Sequence, residues 1–210
     1  CNLNKIDFYT KEFDTSDPKY SVQMSARKLR YEWFDHLLHV NDFDYIVTAH
    51  HLDDSLETFL INLSRSTGID GLRGIKSIND KVIRPLLIFN KSDIIQYANL
   101  NKLEWREDSS NKKNDYLRNK IRNTIIPKLK EINPNFLNNF SKTLNFINDD
   151  ACIIEDYVSN FKNSNFITRN DITSVDKNII KDLSPSFVFK LFKEYGFKNI
   201  KEIFDLCYSI

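Results

Sequence analysis

The feature that constrains the fold most is a short β-branched run that leads through a polar turn into a helix. Residues 45–49, Tyr-Ile-Val-Thr-Ala, have the composition of a buried parallel strand. Asp54 to Ser64 follows with apolar residues at helical spacing. The pattern predicts a strand, a turn and a helix, which is the unit of α/β domains. Because ligands bind at the carboxyl ends of strands in open α/β sheets, the turn is the first candidate site.

Patterns on either side of this unit predict an α/β portion followed by a helical portion. Leu3 to Tyr9 predicts a strand and Ser21 to Val40 predicts a helix. After Pro134, apolar residues recur at spacings of three and four, which predicts one long amphipathic helix. We therefore expect an α/β portion in residues 1–133, followed by a helical portion in residues 134–210.

The composition excludes several classes of protein. Thirty basic and 29 acidic side chains give a net charge of +1, so a general nucleic-acid coat protein is not indicated, although a local basic face is allowed. The three cysteines are far apart, which indicates neither a disulfide framework nor a zinc site and fits a reducing cytoplasm. No apolar run approaches the length of roughly 18–20 residues that crosses a bilayer, and no secretory signal is present.

The densest group of chemically active side chains lies in the turn and first helical turns, from His50 to Glu57. Two imidazoles and three carboxylates occur there. Asp54 and Glu57 are three residues apart and share a helix face, which suits an ammonium group such as that of lysine. The alternative is a capping box, with Asp54 at the helix start and Glu57 reaching back. A zinc site through His50, His51 and Asp53 is disfavoured, because adjacent histidines of a strand point in opposite directions.

A second group combines a polar loop with a basic helix. Arg118 and Arg122 are four residues apart, hence on one helix face, and paired arginines suit phosphate recognition. Leu117, Ile121 and Ile125 are predicted to form the neighbouring buried stripe. The alternative is a solvated basic helix face. A third element, the glycine-rich segment 67–74, predicts a shaped loop, with a plain tight turn as its simpler interpretation.

Five motifs, in this order along the chain, resemble those of the tRNA(Ile)-lysidine synthases, a family of the PP-loop ATP-pyrophosphatase superfamily. They cover roughly residues 25–127 and are Ala26-Arg27 with Arg30-Tyr31; Ala49-His50-His51-x-Asp53-Asp54-x-x-Glu57-Thr58; Arg65-x-x-Gly68-x-x-Gly71-Leu72; Arg84-Pro85-Leu86; and Trp105-Arg106-Glu107-Asp108-x-Ser110-Asn111 followed by Tyr116-x-Arg118-Asn119-x-Ile121-Arg122.

The resemblance implies an incomplete doubly wound parallel sheet in residues 1–133, followed by a helical domain in residues 134–210. It also implies a specific reaction and its participants. ATP adenylates the C2 oxygen of the wobble cytidine of a tRNA(Ile) with a CAU anticodon. The ε-amine of free L-lysine then attacks that carbon, and AMP leaves. ATP and Mg²⁺ are the implied cofactors, the cytoplasm is the implied location, and a homodimer is allowed. No membrane partner is expected.

The resemblance also implies roles for individual residues. Asp54 and Glu57 would hold the lysine ammonium, and the implied catalytic residues are His50, Asp54, Glu57 and Arg122. Residues implied to bind nucleotide or tRNA are Arg27, His50, Arg65, Gly68, Arg84, Arg106, Asn111, Arg118 and Arg122. The helical portion is implied to help hold the tRNA.

The family's Ser-Gly-Gly-x-Asp-Ser loop, which binds pyrophosphate, does not occur in these residues. We expect it upstream of Cys1, and we expect these 210 residues alone not to turn over ATP. Two alternatives stay open: another PP-loop enzyme of the 2-thiolation type, against which the isolated cysteines argue, and a non-catalytic RNA-binding fragment.

Overall fold

The chain divides into two compact units, each built from two segments. The computed structural model describes residues 5–14, 22–106, 117–197 and 199–208. The first unit comprises Cys1–Ser55 with Ile75–Arg106, and the second comprises Leu56–Gly74 with Glu107–Ile210. The domain boundary near residue 133 stays a prediction.

The first unit contains a small mixed sheet. Its elements in chain order are α1 (Val22–Asn41), β1 (Ile46–Val47), the start of α2 (Leu52–Ser64), β2 (Ile78–Asn79), β3 (Val82–Ile83), a 3-10 turn (Pro85–Ile88) and α4 (Lys91–Leu100). The strand order is β1-β3-β2. Strand β1 runs parallel to β3, with Ile46 opposite Val82, and β2 runs antiparallel to β3. The predicted parallel strand is therefore confirmed, whereas the larger doubly wound sheet stays a prediction.

Helix α4 begins where the sequence supplies a complete cap. The Asn90 side chain accepts the backbone N–H of Asp93 at 2.9 Å, and the Asp93 side chain accepts the N–H of Asn90 at 3.3 Å. This reciprocal pair satisfies donors that have no partner within the helix. The cap fixes the first turn of α4, which lies beside the site described below.

The strand predicted at the start of the chain is wrong over its described part. Residues 5–9 form neither helix nor strand, and residues 3–4 lie outside the described residues. Tyr9 is held through its side chain, because its hydroxyl donates to Asn41 Oδ1 at 2.9 Å and its ring lies 6.5 Å from that of Phe43. An apolar run becomes a strand only where a neighbouring strand accepts its backbone hydrogen bonds.

The second unit is mostly helical. Its elements are the rest of α2, α3 (Ile69–Leu72), α5 (Leu117–Lys120), a π-helical turn (Ile121–Ile125), α6 (Ile126–Ile132), α7 (Phe136–Asn165), an antiparallel hairpin of β4 (Phe166–Arg169) and β5 (Ile172–Val175), α8 (Lys177–Lys181), α9 (Pro185–Phe192), a 3-10 turn (Lys193–Tyr195) and α10 (Ile200–Tyr208). No helix in the described part of the chain is long and apolar enough to span a bilayer.

The predicted long amphipathic helix is confirmed as α7, with 30 residues and a length of about 45 Å. Phe140, Leu144 and Ala151 lie on its buried face. The C-terminal part of the unit has its own core, formed by Ile180, Val188, Leu191, Ile203 and Cys207. Full burial of each such aliphatic side chain contributes about 1.5–3 kcal/mol.

Candidate active site

The candidate site of the first unit begins where the parallel strand β1 ends. The Thr48 backbone N–H donates to Ile83 O at 3.0 Å, which continues the β1–β3 ladder by one residue. The Thr48 hydroxyl then lies 2.9 Å from His50 Nδ1. His50 is therefore oriented at the carboxyl end of a parallel pair, the position at which α/β sheets bind ligands.

Helix α2 starts with a cap in which Asp54, rather than Glu57, reaches back. The His51 backbone N–H donates to Asp54 Oδ2 at 3.0 Å, and the Asp54 N–H donates to His51 O at 3.0 Å. The carboxylate also lies in the first helical turn, where the helix dipole favours negative charge. The capping interpretation thus applies to Asp54 with His51, and Glu57 is available for other contacts.

Asp53 ties the same turn to helix α4. Its side chain is buried, and its Oδ2 accepts the Lys91 backbone N–H at 2.8 Å. The Leu52 N–H donates to Phe89 O at 2.9 Å, next to that contact. The first turn of α2 is therefore fixed at two points, and the side chains of His50 and Asp54 are carried on a rigid segment.

A cavity of about 420 Å³ opens over this turn. Its lining residues are Arg30, Tyr31, Phe34, Val47, Thr48, Ala49, His50 and Asp54. A guanidinium, two aromatic rings, an imidazole and a carboxylate thus face one space within the first unit. This set suits a polar ligand that carries a planar ring and separate charges. Among the described residues, no group of three or more His, Cys, Asp and Glu side chains is placed to hold a metal ion.

Sequence reasoning missed part of this cavity. The sequence indicates Arg30 and Tyr31 only as members of a motif, and it gives no indication of Phe34 as a site residue. The available signal was the spacing, because residues three and four apart on α1 share a helix face. Arg27, by contrast, is exposed and places its guanidinium 5.0 Å from the Tyr31 ring centre, so it supports a cavity residue.

Arg84 is positioned by the strand that runs beside β1. It follows β3 directly and is only 8% exposed. Its backbone N–H donates to Ser77 O at 2.9 Å, and its Nη1 donates to Lys76 O at 2.8 Å. These bonds tie the segment before β2 to the end of β3. A role in binding nucleotide or tRNA stays a prediction.

In the second unit, Glu57 is enclosed by the two arginines of the basic helix. The carboxylate is 1% exposed. Arg122 donates to it through Nε at 2.5 Å and Nη2 at 2.9 Å, and Arg118 donates through Nε at 2.7 Å. The predicted shared face of the two arginines is therefore confirmed. Two guanidiniums around one carboxylate leave one positive charge in excess, which favours an anion.

The stripe beside these arginines is only partly buried. Ile121 is buried, but Leu117 is 45% exposed and Ile125 is 41% exposed, so the predicted continuous stripe is wrong. Ile121 and Ile125 lie at the two ends of the π-helical turn Ile121–Ile125. A π turn holds more residues than an α turn, so these two positions do not lie directly above one another.

The glycine-rich segment 67–74 contains the short helix α3 (Ile69–Leu72) of the second unit, so the predicted loop is partly helical. Asn62 Nδ2 donates to Gly71 O at 2.8 Å, which fixes the loop to the end of α2. Arg65 and Gly68 are exposed there, and Gly68 also lines a surface depression of about 540 Å³. Whether these two residues bind nucleotide or tRNA stays a prediction.

Gly71→Ala is expected to destabilise the protein by about 1–3 kcal/mol, because the added methyl group would overpack the loop. A Cβ at this position would contact the Thr67 Oγ1 and lie 2.9 Å from Thr67 Cβ. Chemical denaturation measures the effect. Gly68→Ala is the matched control, since a Cβ there meets no atom within 4 Å. Equal stability losses for the two variants would contradict the packing account.

Asp70 of this loop forms ion pairs with two lysines of the same unit. Lys193 Nζ donates to Asp70 Oδ2 at 2.9 Å, and Lys190 Nζ lies 3.8 Å from Oδ1. The hydrogen bond from Lys193, helped by the charge of Lys190, holds the pKa of Asp70 below its ordinary value of 3.8. The pair is half exposed, so it contributes at most about 1 kcal/mol.

Asp70→Asn is expected to reduce the free energy of unfolding at neutral pH but not in acid. Because folding lowers the pKa, the stabilisation is present above pH 3.8 and is lost as the pH falls through the folded-state pKa. Urea unfolding of both proteins from pH 7 to pH 2.5 checks this. Asp149→Asn, at an exposed position of α7, is the control. A wild-type advantage that persists at the lowest pH would rule out the ion pair as its source.

The last predicted site residues lie around the polar loop after α4. Arg106 is exposed and lines a shallow depression together with Leu103, Glu104 and Trp105. Asn111 lies outside the described residues, so the structure adds nothing to that prediction. A binding role for either residue stays a prediction.

Comparison with known proteins places this geometry in a family. Residues 1–129 match the PP-loop domain. The tRNA(Ile)-lysidine synthase of Bacteroides thetaiotaomicron is 37% identical over 208 residues, covering 99% of this chain and 48% of that protein. The synthase of Porphyromonas gingivalis is 34% identical, covering 96% of this chain and 44% of its own length. The synthase of Chlorobaculum tepidum is 38% identical, covering 75% of this chain and 48% of its own length.

The chain spans about half the length of the curated relatives that it matches. The match to the PP-loop domain covers more than half of this chain and includes the cavity residues Arg30, His50 and Asp54. A PP-loop domain implies an α/β fold that uses ATP, in agreement with the parallel β1–β3 pair. The chain therefore belongs to the PP-loop domain family, and these relatives are tRNA(Ile)-lysidine synthases.

Proposed function

We propose that the protein containing this chain joins lysine to C2 of the wobble cytidine of tRNA(Ile), in an ATP-dependent ligation. The observation that carries the proposal is the cavity at the end of β1, which brings Arg30, His50 and Asp54 together within a PP-loop chain. The names of the relatives support the same reaction and the same tRNA.

The proposed reaction proceeds in two steps, adenylation of the cytidine and attack by lysine. The C2 oxygen of cytidine attacks the α-phosphate of ATP and releases pyrophosphate, which leaves an adenylated tRNA. The ε-ammonium of lysine first loses one proton to solvent. The resulting neutral amine attacks C2, the C2–O bond breaks, and AMP leaves. The attacking nitrogen loses a second proton, and we assign His50, the imidazole of the cavity lining, to accept it.

Asp54 is the group that we assign to the lysine ammonium. It lines the cavity, and a carboxylate held in a fixed orientation attracts an ammonium more strongly there than in water. Tyr31 and Phe34 provide aromatic surface on which a base of the nucleotide or of the tRNA can stack. The cavity lining thus offers a carboxylate, an imidazole and aromatic surface for the second step of the proposed reaction.

Glu57 is assigned a different part in the same proposal. Its carboxylate already accepts three hydrogen bonds from Arg118 and Arg122, which compete with an ammonium for its oxygens. We propose that Glu57 positions the two arginines and that their excess positive charge receives a phosphate. Direct binding of lysine by Glu57 stays a prediction.

Mg²⁺ is implied by ATP chemistry rather than by the donor set of this chain. Asp53 accepts the Lys91 N–H and Asp54 accepts the His51 N–H, and the described residues assemble no three-ligand site. Mg²⁺ commonly binds through one or two carboxylates together with substrate phosphates. We propose that it enters with ATP, and that the protein works in the cytoplasm, where its tRNA substrate is found.

The alternatives differ in what they add to tRNA. A 2-thiolation enzyme would need sulfur chemistry, and among the described cysteines Cys152 is exposed on α7 whereas Cys207 is buried on α10. An RNA-binding module would need no cavity with a carboxylate and an imidazole. A homodimer stays a prediction.

The products of ATP separate these functions. The protein expressed from its complete reading frame is incubated with tRNA(Ile), ATP and lysine, and the nucleotides are resolved by chromatography. We expect pyrophosphate to form once tRNA and ATP are supplied, and AMP to form only when lysine is supplied as well. AMP formation that requires a sulfur donor instead of lysine would support thiolation, and no AMP would support a binding module.

A further inference from the structure

The imidazole of His51 lies between two carboxylates at the start of α2. Its Nδ1 is 3.7 Å from Asp53 Oδ2, and its Nε2 is 3.5 Å from Asp54 Oδ2. All three side chains are mostly buried, with 18%, 10% and 13% exposed. Within the described residues, the buried Nδ1 of His51 has no hydrogen-bond partner. His51 does not line the cavity, whereas Asp54 does.

His51 approaches the same oxygen of Asp54 from two directions. The backbone N–H of His51 donates to Asp54 Oδ2 at 3.0 Å, and the ring Nε2 lies 3.5 Å from that oxygen. On the other side of the ring, Asp53 is fixed because its Oδ2 accepts the Lys91 N–H at 2.8 Å. The ring is therefore a spacer between an anchored carboxylate and a carboxylate that faces the cavity.

Such a spacer acts on the orientation of Asp54. Without the ring, the two carboxylates of adjacent residues would face each other across a mostly buried space, where like charges repel strongly. An imidazole nitrogen 3.5 Å from Asp54 Oδ2 restricts the rotation of the carboxylate. Orientation by a neighbouring hydrogen-bonding group is a common way to hold a ligand-binding side chain.

We propose that His51 is a positioning residue that holds the Asp54 carboxylate in the orientation that receives the substrate ammonium. Asp53 in turn holds the imidazole. This inference rests on the proposed function, because it requires that Asp54 binds lysine. It concerns Nε2 in particular, since that nitrogen faces Asp54 whereas Nδ1 faces Asp53.

The two nitrogens give a matched pair of variants. The amide nitrogen of glutamine can replace Nε2, and that of asparagine can replace Nδ1. Lysine-dependent turnover is measured at varied lysine concentration with the protein from the complete reading frame, and melting temperatures verify folding. We expect His51→Asn and His51→Leu to raise the KM for lysine about tenfold, because the loss of one hydrogen bond to a charged group weakens binding by about that factor. The kcat at saturating lysine should fall much less.

His51→Gln should restore the KM for lysine to within about threefold of wild type, because it keeps a donor toward Asp54. If the His51→Leu variant fails to fold, the comparison of His51→Asn with His51→Gln still tests the positioning role. Equal KM values for Asn, Gln and wild type would overturn the positioning role. A parallel fall of kcat and melting temperature with no change in KM would assign His51 to folding alone. Wild-type turnover that does not depend on the lysine concentration would instead overturn the proposed function.

Discussion

Glu57→Gln is expected to lower the free energy of unfolding by about 3 kcal/mol, the usual cost of breaking a buried ion pair by removing one partner. The substitution keeps the shape of the side chain but removes the negative charge of Glu57, which accepts three hydrogen bonds from the two arginines. The Arg118 and Arg122 side chains are 39% and 28% exposed, so water would screen the repulsion between their guanidiniums only in part. Urea denaturation monitored by circular dichroism measures the loss.

The control for this prediction is Glu194→Gln, which makes the same chemical change at an exposed pair. Glu194 is 63% exposed and accepts a hydrogen bond from Lys162 at 2.6 Å. Exposed pairs contribute about 0–1 kcal/mol, so the control should change stability little. If the two variants lose the same stability, Glu57 does not hold the arginines together in solution.

Asp54→Asn is expected to reduce kcat/KM for lysine about a hundredfold, the scale expected when one partner of a desolvated charge pair is removed. Asparagine retains an oxygen that can accept the His51 N–H, so the start of α2 should remain folded. The measurement is lysine-dependent AMP formation at limiting lysine, with the protein from the complete reading frame.

Asp44→Asn is the matched control, because Asp44 is exposed in the same unit and does not line the cavity. Its kcat/KM should stay within about twofold of wild type, as for most surface substitutions. An Asp54→Asn variant that keeps wild-type kcat/KM for lysine would exclude Asp54 as the ammonium ligand. The two variants together separate loss of a specific charge from a general change in net charge.

Much of the local structure follows from the sequence, because hydrophobic periodicity and composition act over short distances. The run at residues 45–49 predicts the strand β1, and spacings of three and four predict α7. The same reasoning fails at residues 5–9, where an apolar run finds no described strand to pair with. Whether such a run forms a strand depends on its neighbours in space, which a single sequence does not reveal.

The site shows a similar division between what is local and what is not. Helical spacing predicts that Arg118 and Arg122 share a face, and both contact Glu57. Spacing also predicts that Glu57 shares a helix face with Asp54, but it does not reveal that Arg118 and Arg122, 61 and 65 positions away, contact the Glu57 carboxylate. The α1 residues of the cavity lining are hard to predict for the same reason, since their position depends on how α1 packs beside β1.

Ligation of lysine to the wobble cytidine is tested most directly by analysing the modified tRNA itself. Unmodified tRNA(Ile) with a CAU anticodon is incubated with ATP, isotopically labelled lysine and the protein from its complete reading frame, then digested and analysed by nucleoside mass spectrometry. We predict that the wobble cytidine is converted to lysidine carrying the label, and that omission of ATP prevents this. A wobble cytidine that remains unmodified under these conditions, or that gains sulfur in place of lysine, would contradict it.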